Sequence, residues 1–238
     1  MRRFSLLAAP GAALAVALAA AIPGKALAAP VASSVSAVAG TTYDTAALTG
    51  FTTDGTQMGG TAVTVYFTGG GSESAIWSTG TSSAGGSGWS LSQFGDTFNT
   101  PWTLANSAAA TIIGFVIDGL GGNTAFDLDV GSSPGSANGN SFGDADASNT
   151  TEITGATGTY SNRLQVGGVF YDDLYVRLGV DFAGTGLTSG NTFSFTADTD
   201  NARADLGGIV EVPAPASLAL FGVGLAGLGL IGRRRRQG

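Results

Sequence analysis

Cysteine and histidine are both absent from this sequence of 238 residues. Without cysteine there is no disulfide, no thiol nucleophile and no thiolate metal site. Without histidine the commonest general base and metal ligand is missing. A zinc centre or a Ser-His-Asp triad therefore cannot be assembled, which excludes much of hydrolytic chemistry, though not that run by paired carboxylates. Cations are scarce as well: Lys and Arg total 10 against 17 acids. Seven of the ten, Arg2, Arg3, Lys25, Arg233, Arg234, Arg235 and Arg236, occupy the two ends. Arg163, Arg177 and Arg203 alone face all seventeen acids, so the middle of the chain carries −14. Such a surface repels nucleic acid, which binds through clustered Lys and Arg. Multivalent cations and neutral polymers suit it better.

Long helical periodicity is lacking outside the two ends, and alternation with a period near two takes its place. Thr61 to Phe67, Trp102 to Leu104, Thr124 to Val130, Leu174 to Phe182 and Thr192 to Thr196 alternate apolar and polar residues. The almost wholly apolar Thr111 to Ile117 reads as a central strand. Gly69-Gly70-Gly71, Gly85-Gly86-Ser87-Gly88, Gly121-Gly122-Asn123 and Ser132-Ser133-Pro134-Gly135 supply the turns between them. Eight to ten short strands separated by such turns predict an all-β fold, an antiparallel β-sandwich or jelly roll, over residues 29–210. The Thr-Gly-Thr triplets at Thr79 and Thr157 have no fixed period, which argues against a solenoid.

The ends read differently. Arg2-Arg3, an apolar run from Phe4 to Ile22, the break at Pro23-Gly24 and Ala26-Leu27-Ala28 make the three parts of a secretory signal. Small residues at Ala26 and Ala28 predict a signal helix over 1–28, cleaved after Ala28. At the other end, 17 uncharged and mostly apolar residues run from Ala216 to Gly232 before the arginine cluster. At 1.5 Å per residue that run makes a helix of ~25 Å, a marginal membrane span. Arg233, Arg234, Arg235 and Arg236 form a cytoplasmic stop that holds the β domain outside. Pro213 and Pro215 keep the preceding backbone extended and open to processing.

Several motifs fail on their surroundings. Gly222 to Gly227 fits G-x-G-x-x-G, but the dinucleotide reading needs a strand before it and an acid about 20 residues on. Gly131 to Gly135 fits the G-x-S-x-G elbow, which needs a histidine. Calcium is a better candidate. Asp198, Asp200 and Asn201 place oxygen ligands two apart on an expected loop, and Asp127/Asp129 and Asp144/Asp146 repeat the D-x-D spacing. No such site completes an EF-hand, and Asx-turns at strand ends explain the same residues. Glu152 with Asp172-Asp173 could in principle serve a glycan-active enzyme, although adjacent residues on a strand point to opposite faces. Trp77, Trp89 and Trp102 suit either stacking on sugar rings or sheet packing.

Val212-Pro213-Ala214-Pro215-Ala216-Ser217, followed by LALFGVGLAGLGLIG and RRRR, resembles the PEP-CTERM sorting segment. That signal is found on exported proteins of Gram-negative bacteria that make exopolysaccharide. The resemblance implies a sorting segment over 211–238, processed by a membrane peptidase called exosortase at a Pro-Glu-Pro site. Pro213, Ala214 and Pro215 match that site, with Ala214 in place of Glu. Trp102 to Asn106, Phe126-Asp127, Ser133 to Gly139, Asp173 to Tyr175 and Phe195 to Asn201 resemble the variable ectodomains of one PEP-CTERM group. The expected protein is an exported, transiently membrane-anchored β-sandwich, non-enzymatic, with a structural role among surface proteins or extracellular polysaccharide. Calcium-dependent carbohydrate binding is the alternative, and a carboxylate-based glycan-active enzyme a remote one. No other cofactor is expected.

Overall fold

The computed structural model describes residues 32–35, 40–49, 53–129, 133–134, 138–143, 156–182, 184 and 186–213. Among them lie fourteen β-strands and three short 3-10 turns, and no α-helix. The strands are β1 (Ala32–Val35), β2 (Tyr43–Thr45), β3 (Ala62–Phe67), β4 (Ser72–Ile76), β5 (Ser83–Gly86), β6 (Trp89–Gln93) and β7 (Trp102–Asn106). They continue with β8 (Ile112–Asp118), β9 (Thr124–Asp127), β10 (Ala156–Val166), β11 (Val169–Phe182), β12 (Asn191–Phe195), β13 (Asp198–Asn201) and β14 (Ile209–Glu211). The all-β class holds, with more strands than the eight to ten expected. The expected signal helix and C-terminal helix lie outside the described residues.

Ten strands form one curled sheet, ordered β14-β2-β10-β11-β8-β3-β4, with β1 beside β10, β9 on β11 and β13 on β9. A second sheet runs β12-β7-β6-β5. The long β11 makes the curl, because one edge pairs with β10 while the other pairs first with β9 and then with β8. Thr111 to Ile117 becomes β8, which sits between β3 and β11 as a central strand should. One expectation needs correction: the larger sheet is mixed, not purely antiparallel. Both β1 and β2 run parallel to β10 along the same edge. Parallel neighbours need long crossover connections, and the seven strands between β2 and β10 provide one.

Alternation sends Val63 and Val65, Phe115 and Ile117, and Leu178, Val180 and Phe182 inward against the second sheet. That sheet contributes Ala84, Trp89, Leu91, Trp102, Leu104, Phe193 and Phe195 to the same core. All three tryptophans are buried, so sheet packing is their role and sugar stacking is not. Each indole N–H finds an acceptor: Trp77 donates to the Gly55 carbonyl at 2.7 Å, Trp89 to the Glu73 carboxylate at 2.9 Å and Trp102 to the Ala197 carbonyl at 2.8 Å. Trp102 is fully buried, stacks on Phe195 at 6.0 Å and meets Trp77 edge-on at 5.3 Å. Such aromatic pairs contribute ~0.5–1.5 kcal/mol each beyond their buried area. A smaller core of Tyr43, Leu48, Ala125, Leu164, Val166, Leu174, Val176, Ala202 and Ile209 secures the β14-β2-β10 end.

Candidate functional site

The outward residues of the large sheet make a shallow groove. On β3 the alternation that buries Val63 and Val65 turns Thr64 and Tyr66 out. Tyr66, Gly114 and Asp181 are register partners across β3, β8 and β11, so they share one row. Thr64, Val116, Gly179 and Thr159 form the next row, continuing onto β10. Gly114 and Gly179 leave the floor without side chains, and the groove encloses about 370 Å³. Tyr66 and Ile113 stand half exposed along it, with Asp181 and Thr159 on the far side. From Tyr66 to Asp181 is two interstrand spacings, roughly 10 Å. An aromatic face, a hydroxyl and a carboxylate around an apolar floor can seat a small polar ring and accept its hydroxyl protons.

The expected calcium residues are placed otherwise than the sequence suggested. Asp198, Asp200 and Asn201 lie on strand β13, not on a loop, and are buried. The Asp198 carboxylate accepts from the Thr97 hydroxyl at 2.7 Å and from the Thr199 amide at 2.8 Å. Burial pushes its pKa up to about 6, against the opposing pull of those two bonds, and Asp96 nearby adds to the rise. The Asn201 side chain accepts from the Thr124 hydroxyl at 3.2 Å and donates to the Gln57 carbonyl at 3.1 Å. These groups tie elements together: Thr97 lies in the loop after β6, and Gln57 belongs to the turn before β3. Asp127 is the register partner of Asp198. Among the described residues, no group of three or more acidic side chains is arranged to hold a metal ion.

The adjacent Asp172 and Asp173 meet different surroundings. Asp172 sits at φ 65°, is exposed and pairs with Arg163 at 2.8 Å, whereas Asp173 is fully buried. Burial raises the Asp173 pKa, opposed in part by the amides of Asp173 and Leu174. Asp144, Asp146 and Glu152 lie outside the described residues. Tyr66 and Asp181 belong to no motif that the sequence displays. The outward half of the Thr61 to Phe67 alternation is the available signal, but only the register brings Tyr66 opposite Asp181.

The remaining feature is the exit of the chain. Strand β14 ends the large sheet against β2, with Glu211 opposite Tyr43, and the Val212 amide still donates to the Thr42 carbonyl at 2.8 Å. Regular pairing thus runs two residues past the boundary expected at 210, and stops where Pro213 can no longer donate. Pro213 is exposed. The rest of the expected sorting site, Ala214 and Pro215, lies outside the described residues. So do all four arginines of the expected stop, Arg233, Arg234, Arg235 and Arg236, and the signal-cleavage residues Ala26 and Ala28. Among the described residues no helix is long and apolar enough to cross a membrane.

The molecule is therefore an all-β domain with a sandwich-like core, whose edge strand leads directly into the C-terminal segment. Residues 211–236 match the family model of the PEP-CTERM protein-sorting motif. The match takes in Arg234 and Arg235 together with Arg233 and Arg236, so the whole arginine cluster belongs to the motif. No curated protein and no solved structure matches the chain. The motif marks an exported protein that is sorted to the surface, and an exosortase is the processing partner of such motifs.

Proposed function

We propose that this is a non-enzymatic surface protein of a Gram-negative cell, anchored by its C-terminal helix until exosortase processing. It then serves in the extracellular polysaccharide matrix, where its β domain binds neutral glycan. The observation that carries the binding role is the Tyr66–Gly114–Asp181 row and the glycine floor beside it. A neutral polymer suits a chain whose middle carries −14, because it brings no phosphate or carboxylate to repel. Tyr66 offers its ring face to a sugar, and Asp181 and Thr159 accept hydroxyl protons at the rim.

Affinity electrophoresis in gels cast with neutral polysaccharides tests the reading. The wild-type chain is retarded by at least one of them, and Tyr66→Ala and Gly179→Leu each abolish the retardation. Equal migration of all three proteins in every polysaccharide would overturn the groove's role. Calcium-dependent carbohydrate binding is the second reading, favoured by the register opposition of Asp127 and Asp198; chelator removes retardation under it and leaves retardation unchanged under the first.

A further inference from the structure

Three arginines fall among the described residues, and two of them are paired. Arg163 meets Asp172 at 2.8 Å and Arg203 meets Asp205 at 2.6 Å. Among the described residues Arg177 makes neither an ion pair nor a hydrogen bond. It lies in mid-strand on β11, where Gly179 and Asp181 follow it on the same outward face. Its register partner on β8 is Asp118, and Ser161 on β10 stands at its other side. Opposite charges at facing positions usually attract into a pair. Here Asp118 instead accepts from the Leu120 amide at 3.1 Å through one oxygen. Its second oxygen and the Ser161 hydroxyl take no hydrogen bond from any described residue. A donor fork, a free carboxylate oxygen and a hydroxyl thus stand side by side in one half-buried row.

That row continues the groove. Along β11 the outward positions run Asp181, Gly179, Arg177, and along β8 they run Gly114, Val116, Asp118. On β3 the outward side chains shrink from Tyr66 through Thr64 to Ala62, so the aromatic wall ends before Asp118 is reached. The Thr64 hydroxyl is already engaged with that of Ser74 at 2.7 Å. From Asp181 to Arg177 the track runs about 14 Å along the strand. Its two ends differ in chemistry. Tyr66 and Asp181 present a ring face and an acceptor, with no cation in their row. Arg177 supplies N–H donors in a planar fork that reaches two neighbouring oxygens together. Adjacent hydroxyls of a sugar both donate and accept, so a donor fork beside a carboxylate complements them on both counts.

We propose that Arg177, Asp118 and Ser161 form a second sugar subsite. The site then takes a linear neutral oligosaccharide laid along β8 and β11, with one unit at Tyr66 and a later one at Arg177. This rests on the reading of the groove as a glycan site. A single sugar is too short to reach both ends, so chain length is what the second subsite selects. Charge favours a neutral chain. Asp118 is the direct neighbour of Arg177, Asp181 lies on the same strand face, and the middle of the sequence carries −14. An acidic sugar meets that field and gains a single cation in return.

Oligosaccharides of graded length test this as competitors in affinity gels, each cut from whichever neutral polysaccharide retards the wild-type chain. The wild-type chain binds the longer oligomers about tenfold more tightly than the single sugar. Arg177→Gln and Asp118→Asn each remove that gain and leave single-sugar binding unchanged, which also shows that the fold and the Tyr66 end are intact. Wild-type affinity that does not grow with length overturns the second subsite and leaves the groove standing. So do variants that bind every length as the wild type does. Folded variants that lose single-sugar and long-oligomer binding alike also overturn it, because the two ends then act as one site. Stronger retardation by an acidic polysaccharide, lost in Arg177→Gln, overturns the neutral class. A wild-type chain retarded by no neutral polysaccharide overturns the groove reading and the second subsite together.

Discussion

The Thr97 hydroxyl donates to the Asp198 carboxylate at 2.7 Å, joining the loop after β6 to strand β13 inside the protein. The bond is paired with a second from the Thr199 amide. Two donors are fewer than a buried carboxylate needs to remain comfortably ionised, which is why burial prevails and the pKa rises to about 6. In the unfolded chain the same group titrates near ~3.9. Between those two values the folded state holds the proton and the unfolded state has lost it. Stability from this group is therefore greatest below about pH 4, declines as pH rises towards about 6, and is level beyond. Two pK units correspond to roughly 3 kcal/mol at most. Asp198→Asn keeps an acceptor for Thr97 and Thr199 without the charge. We expect it to raise the urea midpoint at pH 7.5 and to change it little at pH 4. A variant equally destabilised at both values would show that Asp198 is needed as a carboxylate.

The aromatic core makes the largest single-residue prediction. Trp102 is fully buried, contacts Trp77, Phe126 and Phe195, and bonds to the Ala197 carbonyl. Trp102→Ala should cost ~3–5 kcal/mol through lost burial and the cavity left behind. Trp102→Phe keeps much of the volume but orphans the Ala197 carbonyl, so its cost is smaller, ~1–3 kcal/mol. Denaturant unfolding ranks the two. Equal losses would mean that the indole hydrogen bond, and not the packing, dominates at this position.

Those core strands were readable from the sequence because β3, β7, β8, β9, β11 and β12 carry regular apolar patterns bounded by glycine or polar turns. The remaining strands were hidden for physical reasons. β4, with Ser72, Glu73, Ser74, Ala75 and Ile76, buries none of its side chains, so it has no apolar period to detect. β5 ends in Gly85-Gly86 and looks like a turn. β13 reads Asp-Thr-Asp-Asn, an apparent cation loop, because its buried positions are satisfied by hydrogen bonds and not by apolar contact. The groove was out of reach for another reason: Tyr66 and Asp181 are far apart in sequence, and only strand register makes them neighbours. The sorting segment was plain, since its meaning lies in a local order of proline, apolar run and arginine.

The strand assignment of β13 bears on calcium. One Asp198 oxygen already takes two hydrogen bonds, and both amide atoms of Asn201 are engaged. A cation there would have to displace contacts that hold β13 to the rest of the domain. We therefore expect millimolar calcium to leave the melting temperature unchanged in differential scanning calorimetry. A rise of several degrees, lost on adding chelator, would mean that the buried acids form a site after all.

The two glycines of the groove should respond in opposite ways. A Cβ at Gly179 would meet only the Thr159 carbonyl at 3.8 Å and a Val116 methyl at 3.9 Å, ordinary contact distances. A Cβ at Gly114 would press on the Val180 carbonyl at 2.6 Å, which is backbone and cannot turn aside. Gly179→Leu should thus fill the groove at little cost in stability, within ~0.5 kcal/mol. Gly114→Ala should lower the melting temperature while leaving the groove open. Paired thermal melts and affinity gels separate the effects, and a strongly destabilised Gly179→Leu would remove it as a clean blocking variant.

The exit of the chain sets the last expectation. Val212 is held at the sheet edge by its bond to Thr42, and Pro213 follows at once, so no slack separates the fold from the processing site. A peptidase recognising Pro213-Ala214-Pro215 must approach that edge closely, and Ala214 offers it a methyl where the motif has a carboxylate. Ala214→Glu should restore a charge-assisted contact and speed conversion to the processed form in a host that carries an exosortase. Inserting a flexible Gly-Ser spacer after Val212 should speed conversion independently, by moving the site away from β14 and β2. Replacing Arg233, Arg234, Arg235 and Arg236 together with neutral residues should instead weaken membrane retention, because the topological stop is lost. Immunoblots of membrane and medium fractions over time report all three. If the spacer leaves the rate unchanged while Ala214→Glu raises it, recognition chemistry limits processing and access at the sheet edge does not.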